Sequence, residues 1–165
     1  MRLSHLICTF FYVGHLRPAP GTWGSLAALP VAWGLHVAGG PGLLALGIGL
    51  AFALGLWATG LETKGKHEHD PSEIVIDEVA GQWLAFLPVS VGAAHAGANL
   101  TSLWPGFIFA FLAFRFFDIL KPGPIGWADR RHDALGVMLD DILAGIAAAL
   151  CVMLAAGLYH GVLAR

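Results

Sequence analysis

The sequence predicts an all-α, polytopic helical membrane protein, with four or five apolar helices in one membrane-embedded domain over residues 1–165 and a charged site at the interface. Three observations carry this. The chain is 57% hydrophobic and only 12% charged, and its mean hydropathy of +0.72 lies outside the range of soluble globular domains. Apolar runs approaching the length needed to cross a roughly 30 Å bilayer core recur along it, separated by Gly/Pro turns. All eleven acidic residues fall in two stretches, six between Glu62 and Glu78 and five between Asp118 and Asp141. Beside apolar sequence an ionised Asp costs roughly 2.5–3.5 kcal/mol at a helix centre on insertion scales, so charges placed there point to a site.

Residues 2–23 are mixed and contain a turn at Pro18, Pro20 and Gly21. Residues 25–38 are apolar but short for a full crossing at about 1.5 Å per residue; they tilt, borrow flanking residues or re-enter. Gly39-Gly40-Pro41 signals a turn, and residues 42–61 form the firmest membrane helix, a run without charge. After a wet connection over 62–69, Asp70-Pro71-Ser72-Glu73 reads as a helix start: an acceptor at the N-cap, Pro at the first position and Glu at the third. This third helix continues through Ile76 and Trp83 and kinks or stops near Pro88, before a small-residue loop over 92–101. Residues 103–120 make the fourth helix. Lys121-Pro122-Gly123-Pro124 stops it, residues 126–133 are polar, and a last apolar run spans about 135–163.

Two helices separate the acidic stretches, which returns both to one side of the membrane. If the short first helix crosses, that side carries eight of the nine Lys/Arg residues, with only Arg165 opposite; positive residues stay inside, so the charged face is expected to be cytoplasmic. A net charge of −2 and the lack of a basic stripe give no basis for nucleic-acid binding. Cys8 and Cys151 read as reduced, inert thiols, and no cleavable signal pattern appears at the start, so the N-terminus is expected to be retained.

Asp77, Glu78, Asp118, Asp129, Asp140 and Asp141, without a rich His/Cys ligand set, favour a hard, oxygen-loving cation such as Mg²⁺. The competing reading has these acids ion-paired at the water boundary with Lys64, Lys66, Arg115, Lys121, Arg130 and Arg131. The doublets Asp77-Glu78 and Asp140-Asp141 favour the site, because neither has an obvious local basic partner. Arg115, Asp118 and Lys121 are spaced i, i+3 along one helix face: either a local ion-pair ladder or a carboxylate on metal flanked by cations that meet phosphate oxygens. Gly136 and Gly145 lie one turn from Asp140 and Asp141, where a neighbouring helix can approach closely. Around Gly21 and Thr22, a Gly/Thr/Ser-rich helix start offers free N–H groups to an anion, although ordinary helix entry explains it too. His67, His69 and His132 lie in the wet segments, whereas His5, His15, His36, His95 and His160 have no company in sequence. Neither cysteine precedes an Arg by six positions, no Asp-x-Asp occurs, and the Lys-x6-Arg-Pro and Ser-Gly-His patterns of type 2 phosphatidic acid phosphatases are missing. Covalent phosphoryl chemistry of those kinds is disfavoured.

Three segments together resemble phosphatidylglycerophosphatase A, a bacterial inner-membrane lipid phosphatase family: Pro20-Gly21-Thr22-Trp23-Gly24-Ser25-Leu26-Ala27-Ala28, Asp70-Pro71-Ser72-Glu73-Ile74-Val75-Ile76-Asp77-Glu78-Val79-Ala80-Gly81, and the run from Phe114-Arg115-Phe116-Phe117-Asp118 through Lys121-Pro122-Gly123-Pro124-Ile125 and Asp129-Arg130 to Gly136-Val137-Met138-Leu139-Asp140-Asp141-Ile142-Leu143-Ala144-Gly145. The resemblance implies Mg²⁺-dependent removal of the terminal phosphate from phosphatidylglycerophosphate, giving phosphatidylglycerol, in a multi-pass protein of the inner membrane. On the positions that match, the family's acidic signatures fall on Asp77, Glu78, Asp118, Asp129, Asp140 and Asp141, with Lys121 after Asp118; the mechanism expected from these residues places one or two Mg²⁺ ions on Asp77, Glu78, Asp140 and Asp141. Asp118 or Asp129 then orients the attacking water or completes the metal shell, and Lys121 and Arg130 balance charge on the phosphoryl oxygens, with Gly21, Thr22 and Arg115 on the substrate. Asp133-Ala134 departs from the small, glycine-rich sequence of the family and leaves the local loop shape open. The alternative from another class is a cation- or proton-coupled transporter, since intramembrane acids also mark ion pathways; acids gathered at one face, not at the midplane, count against it.

Overall fold

The computed structural model describes residues 2–66 and 70–159 and contains no strand among them; His67, His69, His160 and Arg165 lie outside the described residues. Helix α1 (Leu3–Cys8) leads into a reversal and a 3-10 turn over Val13–His15, followed by α2 (Pro20–Glu62), α3 (Ile76–Ala96), a 3-10 turn over Leu100–Leu103, α4 (Trp104–Leu120), α5 (Pro124–Asp129) and α6 (Ala134–Leu158). Three helical stretches are long and apolar enough to cross a membrane: Pro20–Glu62, Leu100–Leu120 and Ala134–Leu158. The sequence suggested four or five. Two expected helices are joined in α2, and α3, with Asp77, Glu78, Gln82 and His95 along its 21 residues, falls outside the set. Apolar side chains point outward on the flagged helices, with Leu46 58%, Leu112 58% and Leu154 68% exposed, as lipid-facing surfaces require.

Helix α2 is two arms. Gly39 and Gly40 leave helical geometry, and Gly40 takes φ 65° and ψ −162°, a conformation that glycine alone adopts readily. Beyond the break the chain folds back, so that a Cβ on Gly47 would lie 3.0 Å from Leu35. Pro20 sits at the first helical position, and the first arm therefore starts before the apolar run does; residues 20–38 span about 28 Å at 1.5 Å per residue. Borrowing its flank brings the short segment close to the length that a crossing needs.

The third helix starts later than its capping pattern suggests. Asp70-Pro71-Ser72-Glu73 forms a turn, closed by Ile74 N–H donating to the Pro71 carbonyl at 2.9 Å, and α3 begins at Ile76. Burial overrides the local signal: Ile74 is 4% and Val75 0% exposed, and Val75 N–H donates to the Cys8 carbonyl at 2.8 Å, pinning these residues outside the helix. Nor does α3 stop at Pro88; it runs to Ala96 and ends on Gly97 with φ 59°. Two further differences concern the stretch before α6. The polar segment holds the short helix α5, with Pro124 in its first turn, and Asp133 caps α6 by accepting the Gly136 N–H at 2.7 Å. Asp133, where the sequence left the loop shape open, is thus an N-cap.

Helix α3 is central. Val79, Ala80, Ala85 and Phe86 are fully buried, the Trp83 indole N–H donates to the Ala28 carbonyl of α2 at 2.8 Å, and Phe86 meets Phe107 of α4 edge-on at 4.6 Å. Against α6 it makes a glycine crossing: a Cβ on Gly145 would lie 2.5 Å from the Gly81 carbonyl oxygen, and one on Gly81 would lie 2.6 Å from the Asp141 carbonyl oxygen. The two backbones touch because neither glycine has a side chain.

Candidate active site

That crossing assembles the acids. Asp77 and Glu78 occupy the first turn of α3, about one turn before Gly81; Asp140 and Asp141 lie about one turn before Gly145 in α6. Asp77, Glu78 and Asp141 each bring an oxygen within 4.8 Å of the others. Asp77 is 6% and Asp141 3% exposed. Asp140 faces differently, accepting a hydrogen bond from the Lys121 ammonium at 2.6 Å. Lys121 ends α4 in a left-handed conformation, φ 46°, and also donates to Asp129. Burial alone lowers the affinity of the Lys121 amine for its proton, but the hydrogen bonds to Asp129 and Asp140 outweigh it and hold the ammonium well above its ordinary pKa. On the preceding turn the Arg115 guanidinium pairs with Asp118 at 2.5 Å and donates to Ser25 Oγ at 3.4 Å; Ser25 Oγ in turn donates to the Gly21 carbonyl at 2.8 Å.

A cavity of about 350 Å³ opens over these groups, lined by Gly21, Thr22, Asp77, Glu78, Arg115, Asp118, Lys121, Asp140 and Asp141 along with Asp70, Ser72 and their neighbours. Nine of the eleven site residues expected from sequence meet in this wall. Asp129 and Arg130 are not in it: Asp129, 42% exposed at its side chain, reaches the cavity only through Lys121. Neither α2 nor α3 has a side chain capping its start, so the first-turn N–H groups at Gly21, Thr22 and Asp77 have no partner within their own helix.

Sequence reasoning missed several contributors. Asp70 and Ser72 reach the wall on the turn before α3, where the capping pattern had assigned Asp70 another task. Ser25 is the oxygen that links Arg115 to Gly21. Gln82, one turn beyond Glu78, is fully buried with neither amide atom hydrogen-bonded, and Glu78 Oε2 and Arg115 Nε are buried without partners as well. A single glutamine in the otherwise apolar run 79–89 was the available signal.

The donor set suits a hard divalent cation. Six carboxylates and two cationic side chains line the wall. Two unit charges 4 Å apart repel by about 4 kcal/mol at an effective dielectric of 20, so the triad is costly unless it keeps protons or positive charge lies among its oxygens. Glu78 supports the fit directly, with one buried oxygen lacking any partner and the other so close to Gly21 that a Cβ there would displace it. Oxygen-only ligands of this kind select Mg²⁺-like ions over soft metals.

The sequence profile of phosphatidylglycerophosphatase A matches residues 6–156. The chain belongs to the phosphatidylglycerophosphatase A family. The phosphatidylglycerophosphatase A of Haemophilus influenzae is 37% identical over 150 residues, covering 90% of this chain and 85% of that protein. The one from Escherichia coli is 34% identical over 146 residues, with 88% and 78% covered. A Bacteroides thetaiotaomicron protein named as a candidate phosphatidylinositol-3-phosphatase is 33% identical over 159 residues, 87% of each chain. No solved structure matches. Membership of the phosphatidylglycerophosphatase A family makes this chain a phosphatase and does not favour the transporter reading.

Proposed function

We propose that this enzyme hydrolyses the terminal phosphomonoester of phosphatidylglycerophosphate, releasing phosphatidylglycerol and inorganic phosphate, with Mg²⁺ held by Asp77, Glu78 and Asp141 and with Asp140 as the fourth carboxylate of the set. The observation that carries this reading is the meeting of three carboxylates with Arg115 and Lys121 in one cavity of a family of phosphatases. When bound, such a cation withdraws negative charge from phosphoryl oxygens. Arg115 and Lys121 neutralise the remaining oxygens, and the uncapped N–H groups of Gly21 and Thr22 add donors at a helix start. Asp118, buried and oriented by Arg115, accepts a proton from water as the water oxygen bonds to phosphorus. The bond from phosphorus to the glycerol oxygen breaks, and that oxygen takes a proton from water at the open mouth of the cavity. Asp129 holds Lys121 in place.

In the same reading the chain crosses a bacterial inner membrane five times, through residues 20–38, 41–62, α3, α4 and α6. Arg2, Arg17, Lys64, Lys66, Arg115, Lys121, Arg130 and Arg131 then share the active face, which is cytoplasmic by the positive-inside rule. Cysteines placed at Lys64 and Arg130 should resist an impermeant label added to intact cells; ready labelling of both reverses the topology.

Phosphate release from phosphatidylglycerophosphate by purified protein, after chelation and again after Mg²⁺ is restored, tests activity and metal together. Phosphatidylinositol 3-phosphate is the informative competitor, given the Bacteroides relative. We expect Mg²⁺-restored turnover at least tenfold faster on phosphatidylglycerophosphate. Chelator-resistant release rules out the metal, and the opposite preference reassigns the substrate.

A further inference from the structure

We propose that His5 and His15 form a second metal site, selective for imidazole-seeking ions such as Zn²⁺ or Cu²⁺ and separate from the carboxylate cavity. The two Nε2 atoms lie 3.1 Å apart, and the ring centroids are 5.2 Å apart. At Zn–N distances near 2.0–2.1 Å, two imidazoles on one tetrahedral ion have nitrogens about 3.3 Å apart and centroids about 5 Å apart. The pair is therefore close to ligating geometry.

The surroundings are those of a built site. His5 is on α1, and its other ring nitrogen, Nδ1, faces the Glu62 carboxylate of α2 at 3.8 Å; carboxylates behind ligating histidines orient the ring in many metal centres. Glu62 is itself held by Ser4 Oγ, which donates to it at 2.5 Å. His15 is brought back onto His5 by an unusual reversal: Phe10, Phe11 and Tyr12 have φ of 43°, 57° and 69°, three consecutive non-glycine residues in the left-handed region that each disfavours. The Tyr12 ring then stacks on His15 at 5.8 Å. Gly14, beside His15, is buried against the Glu73 carbonyl, which fixes the reversal to the turn whose Asp70 and Ser72 line the cavity. Neither histidine lines that cavity. Two protein nitrogens with water completing the shell suit imidazole-preferring ions, whereas Mg²⁺ prefers the oxygen donors next door. The two sites are chemically distinct.

Tag-free full-length protein in detergent, with millimolar Mg²⁺ present to saturate the carboxylates, should bind one Cu²⁺ whose electron paramagnetic resonance spectrum shows two imidazole nitrogens. His5→Ala and His15→Ala should each abolish that two-nitrogen signature and weaken Cu²⁺ and Zn²⁺ binding at least tenfold. Both should keep normal phosphate release. Should His5→Ala fail to fold, His15→Ala, at an exposed position, decides. An unchanged signature in His15→Ala, or no nitrogen-bound Cu²⁺ in the parent, overturns the proposal and leaves a hydrogen-bonded histidine pair sharing one proton. Because metal binding is read without substrate, this result is independent of the assigned phosphatase substrate.

Discussion

Gly21→Ala separates chemistry from stability. A Cβ at position 21 would lie 3.1 Å from Glu78 Cδ and closer still to Oε1, with Arg115 Nη1 at 3.3 Å. Recovering ordinary contact of about 3.5 Å moves the Glu78 carboxylate by roughly 1 Å. The atoms that move are the ends of flexible side chains, and Gly21 lies in a helical first turn, where Ala is the better helix former by up to about 1 kcal/mol. The variant should therefore be as stable as the parent or slightly more so. Its site is another matter, since a misplacement of about 1 Å in a catalytic constellation costs on the order of 10²-fold. Paired measurements of thermal unfolding and phosphate release at saturating substrate, over a Mg²⁺ titration, give the two numbers. An unchanged melting temperature with turnover within threefold of the parent would refute the reasoning, because it would mean that Glu78 can shift without consequence.

Gly81→Ala and Gly145→Ala should behave oppositely, since a Cβ at Gly145 meets the Gly81 carbonyl at 2.5 Å and one at Gly81 meets the buried Phe114 ring at 2.5 Å and the Asp141 carbonyl at 2.6 Å: the helices must separate, costing about 1–3 kcal/mol along with activity, visible as a lowered unfolding midpoint. Asp118→Asn should reduce turnover by roughly 10²–10³-fold, whereas Asp129→Asn, which leaves Lys121 bonded to Asp140, should cost less than about tenfold at an exposed position; equal losses would contradict the division between them. Burial pushes the Cys8 thiol up to about 11 from 9.0, so the folded protein keeps Cys8 protonated while the unfolded chain ionises it. Whatever stability this supplies is complete below pH 9 and lost as pH rises through about 11. Maleimide labelling followed by mass spectrometry at pH 8 should find Cys8 modified about 10²-fold more slowly than in denatured protein.

Much of the site was legible because its residues sit where apolar sequence cannot account for them. Asp77, Glu78, Asp140 and Asp141 stand out as charges entering helices, and the even number of intervening helices already brings them to one side. Which acids meet which cations was not legible. Asp140 turns to Lys121 and Asp129 lies outside the wall because Lys121 terminates α4 in a left-handed residue, a tertiary outcome that i, i+3 spacing does not encode. The start of α3 misled for a similar reason: Asp70-Pro71-Ser72-Glu73 has the chemistry of a cap, but the burial of Ile74 and Val75 and the hydrogen bond from Val75 to the Cys8 carbonyl decide the backbone. His5 and His15, ten residues apart, carried no pairing signal, because the reversal joining them uses residues that rarely adopt its backbone angles.

The contact between Gly81 and Gly145 is also the point about which α3 would turn if the bilayer tilted it. Bilayers differ in thickness, and helices respond by rocking. Asp77 lies four residues from the contact point, about 6 Å along the axis, whereas Ala96 lies fifteen residues beyond it, about 22 Å away. A 10° swing of α3 about that point displaces the far end by about 4 Å and the carboxylates by only about 1 Å. The arrangement is a lever with the reactive groups on its short arm. A tilt of α3 about this contact would move the acids only about a quarter as far as it moves the end at Ala96.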